Sequence, residues 1–413
     1  MKSAPPIWTE RYDRLIRSLP DLVSRARLTL CGLSTVLDAV LPLGSAGRLF
    51  GPDAPQAARP LAEALRERAL AGIGGEIRID WPGGEAWLDA NLPFRLDIGG
   101  GGPHAARALV TLGAPALLAL ESRGPGMLAA LDPRIRIAHD GRAVACGELA
   151  ASGADAKRVY IFESTAGEAV AGIMPRRSTR IIVRLHDSRL EDDAEFRRVS
   201  LDLAGEAGAG ILAGFSIIGS GDLDGALGEA ASLAQGWRRA GLGLVHLELA
   251  GFEQPAYRDR VLERLGGTAH SVGMSASELR ELEAGDDLAA SLAAVAGRYG
   301  FERVCVHADD WAASLTRGDP EREAEALMLG CLLAAGRAAS GRTVVPGSLP
   351  PGARLLLPDR LHAATHRTAP QRTPDGWRLV AVPAPWLEHP ATTLGLGDTF
   401  MAGCLLALGA RDG

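Results

Sequence analysis

Short apolar runs recur along the chain with room for one helix between most neighbours, and this spacing limits the fold more than any other feature. The runs are 26–33 (ARLTLCGL), 209–214 (AGILAG), 243–249 (GLVHLEL) and 302–307 (ERVCVH). Each is short, apolar and bounded by glycine or charge, which suits a strand buried on both faces. Helices are predicted at about 222–240, 276–299 and 320–340, and residues 99–112 open with four glycines and continue as an Ala/Leu-rich helix. Strands joined by helices of this length predict an α/β sandwich, with a mainly parallel central sheet flanked by helices and right-handed crossovers. Two segments break the rhythm, at about 44–97 and 158–184. They hold the half-exposed patterns EIRIDW (76–81), RVYIFES and TRIIVRL, and predict one small sheet built from two insertions. A lid over a cleft and a plain surface sheet are both open readings of that pattern.

Composition removes several function classes. The 413 residues are 47% hydrophobic and 23% charged, enough for one large core. A net charge of −6 does not favour a nucleic-acid face. Lysine occurs only at Lys2 and Lys157, so the basic charge is almost all arginine. No G-x-x-x-x-G-K-[ST] is present, which excludes a Walker-type phosphate loop. Cys31, Cys146, Cys305, Cys331 and Cys404 lie far apart without a C-x-x-C, and read as buried thiols in a reducing compartment. The opening residues are too charged for a signal peptide, and no apolar run reaches membrane-spanning length. A cytoplasmic protein without membrane or nucleic-acid partners is expected; the oligomeric state stays open.

Chemistry concentrates at Thr392-Thr393-Leu394-Gly395-Leu396-Gly397-Asp398-Thr399-Phe400, ahead of the apolar MAGCLLAL. Gly395 and Gly397 before a helix let backbone N–H groups from Gly395 through Leu396 to Asp398 point at one anion. Asp398 then serves as a simple helix cap or as a base that takes a hydroxyl proton.

G-L-G-D-T before a small-residue helix resembles the signature of ribokinase-like kinases. The Leu-Gly-Leu-Gly-Asp-Thr form is most similar to the ADP-dependent glucokinase and phosphofructokinase branch. Further stretches fall in that family's order, from about residue 27 to 404. The resemblance implies a ribokinase-like sandwich with a β-rich lid, ADP as phosphoryl donor, a sugar acceptor and Mg²⁺. It makes Asp398 the catalytic base beside Gly395 and Gly397. It assigns the acceptor to Asp38, in CGLSTVLD, and to Gly100 and Gly101, in GGGGPHAA. His246-Leu247-Glu248 resembles the branch's His-x-Glu motif; both side chains share a strand face and are expected to converge on a hydrated Mg²⁺. Glu278 matches a metal-holding glutamate, with Ser275 in place of an asparagine, though Ser275–Glu278 also reads as a capping box. Arg177 and Arg180, in PRRSTR, and His307, like Leu396, are implied on the nucleotide-phosphate side. Glu76 resembles a lid glutamate that favours glucose over a phosphorylated sugar.

The chain departs from the pattern around the acceptor. Ser34 and Val36 stand where the family usually has asparagines, and Gly101 where it tends to have Gln or Asn. The phosphoryl-transfer residues are thus present while the acceptor site is altered. An ADP-dependent hexose kinase is the leading expectation. An ATP-using ribokinase-like kinase and a catalytically silent sugar- or nucleotide-binding homologue are the alternatives.

Overall fold

The computed structural model describes residues 2–412 except 171, 173, 187–188, 220–221, 253, 284, 358–360, 362–370 and 373–375. An 11-stranded sheet forms the core. Its central run is parallel, from Arg303–His307 through Ser271–Ser275, Val245–Glu248, Ala209–Leu212, Thr29–Cys31 and Ala116–Leu118 to Arg136–His139. Antiparallel strands flank it, with Trp311–Thr316, Arg378–Pro383 and Gln371–Arg372 on one side and Arg142–Ala145 on the other. The α/β sandwich read from the sequence is the observed one, with all four predicted core strands in place.

Both faces of the sheet are covered, which is why its strands carry little polarity. Leu223–Arg239, Pro255–Leu265 and Leu288–Tyr299 pack Trp237, Leu262 and Val295 on one face. Trp237 is fully buried and gives its Nε1–H to Ser200 Oγ at 2.9 Å. Gly101–Leu112, Pro320–Ser340 and Leu396–Gly409 cover the other face. The helix expected over 276–299 is two helices, Ala276–Leu282 and Leu288–Tyr299. The break holds Gly285 and Asp286-Asp287, and Asp287 restarts the helix by accepting from the Ala290 amide at 3.2 Å. The five cysteines are buried and free. Among the described residues no helix is long and apolar enough to cross a membrane.

A five-stranded second sheet runs in the order Gly75–Arg78, Thr179–Arg184, Arg158–Ser164, Val36–Pro42, Arg95–Gly99. Both rhythm-breaking segments enter it, as expected, but it also takes Val36–Pro42. Asp38 therefore sits inside a strand of this sheet rather than just past the first core strand. Alternation then decides which side chains meet. Ala39, Leu41, Ile77, Tyr160, Phe162, Ile181 and Val183 point into a core of their own. Their neighbours Asp38, Glu76, Arg180 and Arg184 take the opposite face. A third sheet of Lys2–Ser3, Arg354–Leu357 and Pro385–Trp386 had no sequence signal.

Helices Pro320–Ser340 and Leu396–Gly409 cross at two glycines. A Cβ on Gly403 would lie 2.8 Å from the Gly330 Cα and N, and one on Gly330 would lie 2.6 Å from the Phe400 carbonyl oxygen. Backbone meets backbone, so neither partner can yield. Gly403→Ala should destabilise the protein by about 1–3 kcal/mol, the usual range for overpacking, and should lower turnover because this helix carries Asp398. Gly225→Ala, at a helix site with open space around it, should be neutral or stabilising by up to ~1 kcal/mol. Urea unfolding of both variants checks the contrast.

Candidate active site

The turn before Leu396–Gly409 is held from behind. Gly395 adopts φ 63°, ψ 26° as the residue capping the helix, a left-handed conformation that glycine adopts freely. Arg337 Nε donates to the Leu394 carbonyl at 2.6 Å, and Arg180 Nη2 donates to the Thr393 carbonyl at 2.7 Å. The Thr399 amide and hydroxyl donate to the Gly395 carbonyl at 3.0 and 2.7 Å. With these carbonyls satisfied inward, the first amides of the helix, which has no side-chain cap, are left for a ligand.

Asp398 is not the cap of this helix. It lies in the first turn past Gly395, and its Oδ1 would be 3.2 Å from a Cβ on Gly101. Its carboxyl therefore opens on the glycine-rich start of Gly101–Leu112. Burial and the nearby Glu248 raise its pKa to about 6, against the pull of Arg337, His307 and Arg180. A carboxylate poised there is ionised at neutral pH yet more basic than an exposed one.

Asp38 and the glycines Gly99–Gly101 form the adjoining wall. A Cβ on Gly99 would run into the Asp38 carboxyl, and one on Gly100, at φ 96°, would strike the Ser34 carbonyl. Glycine is required at both places by close approach. Asp38 is buried, and burial, offset in part by Arg184, raises its pKa to about 8. Glu76 does not present a bare carboxylate to the cleft. Arg184 Nε is ion-paired to Glu76 Oε1, and the same guanidinium lies close enough to interact with Asp38. Simple repulsion of a phosphate by Glu76 is corrected accordingly: the strand alternation that puts Glu76 on this face puts Arg184 there too.

The residues expected at the metal occupy consecutive rows of the core sheet. His246, Ser271 and Arg303 are cross-strand partners; Glu248 pairs with Gly273, and Ser275 with His307. Gly273 makes room, since a Cβ there would collide with Glu248 Oε2. His246 and Glu248 share a face as expected, but they bond to each other, Nε2 to Oε2 at 2.9 Å. His246 Nδ1 meets Ser271 Oγ at 2.9 Å. Both ring nitrogens are therefore satisfied by the protein, and His246 is corrected from metal ligand to holder of Glu248. His307 Nε2 approaches Glu248 Oε1 at 3.7 Å, and its ring lies 3.2 Å from a Cβ position on Gly397. Burial would raise the Glu248 pKa, but hydrogen bonds from His246 and His307 outweigh it and hold the group ionised. Glu278 closes the capping box, accepting from the Ser275 amide at 2.7 Å, while burial and Glu248 raise its pKa. The capping-box reading of Ser275–Glu278 is the observed one.

Of the expected arginines, Arg180 is bonded to the turn before Asp398; Arg176 and Arg177 are exposed in the approach to its strand. Arg337, Arg184 and His104 escaped sequence reading. Arg337 sits inside an apolar helix, and no local pattern betrays its target 57 residues away. His104 is buried with Nδ1 unpartnered, beside Gly395; burial and the charges of Arg337 and Arg107 push its pKa down to about 3.

Residues 71–407 match the conserved region of the ADP-specific phosphofructokinase/glucokinase family. The chain belongs to that family. Solved structures agree at the level of fold. An ADP-dependent kinase in complex with fructose-6-phosphate and ADPbetaS is 17% identical, with a TM-score of 0.78 and 99% of each chain covered. A hypothetical ADP-dependent phosphofructokinase from Pyrococcus horikoshii OT3 is 18% identical, with a TM-score of 0.73 over 92% of this chain and 97% of that one. The reconstructed last common ancestor of ADP-dependent phosphofructokinases from Methanosarcinales is 15% identical, with a TM-score of 0.70 over 98% and 99%. No curated protein matches the sequence. Asp398, Glu248 and Glu278 all lie within the matched region of this ADP-dependent sugar kinase family.

If Asp398 is the base, kcat/KM should fall as pH drops through about 6, because the protonated carboxyl cannot accept a proton. Asp398→Asn should retain nucleotide binding and lose turnover by ~10²–10⁴-fold. A pH–rate profile of the wild type and single-turnover assays of the variant check both.

Proposed function

We propose that this protein transfers the terminal phosphoryl group of ADP to a hydroxyl of a neutral, glucose-like hexose, giving a sugar phosphate and AMP. The observation that carries the reading is the Asp398 carboxyl, held between outward-pointing helix amides and the glycine wall of Asp38. The acceptor hydroxyl lies against Asp398, which takes its proton as the oxygen attacks the β-phosphorus. The bond from that phosphorus to the AMP oxygen breaks, and the Leu396–Asp398 amides hold the charge on the transferring group. Arg180 and Arg337 keep those amides aimed by fixing the turn's carbonyls.

The residues present fit a hydrated Mg²⁺ rather than a dehydrated metal. Glu248 raises the pKa of both Glu278 and Asp398, so negative charge is crowded here. Crowded carboxylates suit a cation that keeps much of its water and binds chiefly to phosphate. Glu248 and Glu278 would hold it, and it would neutralise charge on the donor. ADP is favoured as donor by membership of the ADP-specific family. Activity should require a divalent cation, Glu248→Gln should raise the Mg²⁺ concentration needed, and kcat/KM should be higher with ADP than with ATP. Superimposable Mg²⁺ curves would make Glu248 structural, and a higher value with ATP would overturn the donor.

For the acceptor, the engagement of Arg184 supports a neutral sugar. Its guanidinium faces Glu76 and Asp38, so the cation nearest the acceptor aspartate is already engaged and is not offered to a phosphate dianion, while the Asp38 carboxyl can serve hydroxyls. Glucose should be used in preference to fructose 6-phosphate. Glu76→Ala releases Arg184 and should raise the fructose 6-phosphate/glucose ratio of kcat/KM. Robust wild-type turnover of fructose 6-phosphate would refute the preference, and an unchanged ratio would remove Glu76 from acceptor choice.

A further inference from the structure

The row His246–Ser271–Arg303 continues beyond the site into the core. Glu323, on helix Pro320–Ser340, takes Arg303 Nε at 2.9 and 3.1 Å, and Arg303 Nη2 stands 2.7 Å from Glu323 Oε1 in ionic contact without hydrogen-bond alignment. Arg303 Nη1 donates to Ser271 Oγ at 3.0 Å, and Ser271 Oγ meets His246 Nδ1 at 2.9 Å. His246 Nε2 then meets Glu248 Oε2 at 2.9 Å. All five side chains are buried, Ser271 completely. The path joins a helix on the far side of the row to the carboxylate that faces Asp398.

Donor and acceptor chemistry orders this path. Guanidinium is a donor only and carboxylate an acceptor only. Glu323 holds Arg303, Arg303 holds the seryl oxygen, and that oxygen and the Glu248 carboxylate hold the two ring nitrogens of His246. We infer that Glu323, Arg303 and Ser271 are positioning residues that hold the His246 ring in place and thereby set the Glu248 carboxylate, leaving Oε1 toward His307 and the cleft. The functional consequence rests on the proposed role of Glu248 toward the cation; the placement of the ring does not. A core without function would gain from apolar side chains here, because a buried ion pair often stabilises less than a packed hydrophobic pair.

The test uses full-length, metal-free protein labelled with ¹⁵N-histidine. His246 is assigned by its loss in His246→Gln, and its ring signals report the placement of the imidazole. Mn²⁺ alone, followed by electron paramagnetic resonance, reports cation affinity. Ser271→Ala should shift the ring signals and weaken Mn²⁺ binding by ~10-fold or more, the range seen when outer hydrogen-bond partners are removed. Ser271→Thr, which keeps the hydroxyl, should restore both. Arg303→Met alone leaves Glu323 buried and unpaired and is expected to unfold. The double variant Arg303→Met/Glu323→Leu removes both charges, and should fold yet behave like Ser271→Ala. Unchanged ring signals in either Ser271→Ala or the double variant would overturn the inference, as would unchanged Mn²⁺ affinity in these variants where the wild type binds the ion. Shifted ring signals in a protein that binds no Mn²⁺ would uphold the positioning chain and remove the cation role of Glu248.

Discussion

The site depends on the hydrogen bonds that two arginines make to carbonyl oxygens. A turn that aims its amides at a ligand must send its carbonyls the other way, into protein. Buried without partners, each would cost about 1–3 kcal/mol. Arg337 and Arg180 take Leu394 and Thr393 at short distances, and as charged donors they make stronger bonds than neutral ones. Everything in the first turn of the site helix follows, including the placement of Asp398. The same two cations lower the Asp398 pKa against the burial that raises it. The same bonds thus hold the turn and place positive charge beside Asp398.

Negative charge is otherwise concentrated here. Glu248 raises the proton affinity of both Asp398 and Glu278, and Asp398 raises that of Asp38. The protein tolerates this because each carboxyl has a different partner: His246 and His307 for Glu248, the Ser275 amide for Glu278, Arg184 for Asp38. The environments push the pKa values apart, from a Glu248 held ionised to an Asp38 near 8. Divergent neighbours of this kind are how carboxylates in one cleft take different tasks.

Periodicity and local punctuation were readable because they arise from neighbouring residues. The core strands, the helix after Gly395 and the shared face of His246 and Glu248 follow from apolar runs, glycine placement and a period of two. What escaped depends on the approach of distant segments. Val36–Pro42 follows the first core strand closely in the chain, and only its pairing with Arg158–Ser164 and Arg95–Gly99 places it in the second sheet. Arg184 reads as one more arginine at a strand end until Glu76 meets it from a parallel neighbour. The inward turn of His246 is set by Ser271 and Arg303, one and two strands away. Such partners have no spacing signal because crossover helices separate them in the chain.

One bond ties these layers together. Arg180 rises from the second sheet, on the face it shares with Asp38, and ends on the turn of the helix that covers the main sheet. Two bodies with separate cores thus meet at the turn before Asp398 through a charged hydrogen bond. Any displacement of the second sheet away from the main one withdraws the donor from the Thr393 carbonyl. It also removes a positive charge from Asp398, whose pKa Arg180 lowers, so the base would be less ionised at neutral pH. The wall of Asp38, the turn before Asp398 and the charge state of Asp398 are therefore coupled through one bond. Under the proposed phosphoryl transfer, such coupling suits a site that must exclude water while the phosphoryl group is in transit.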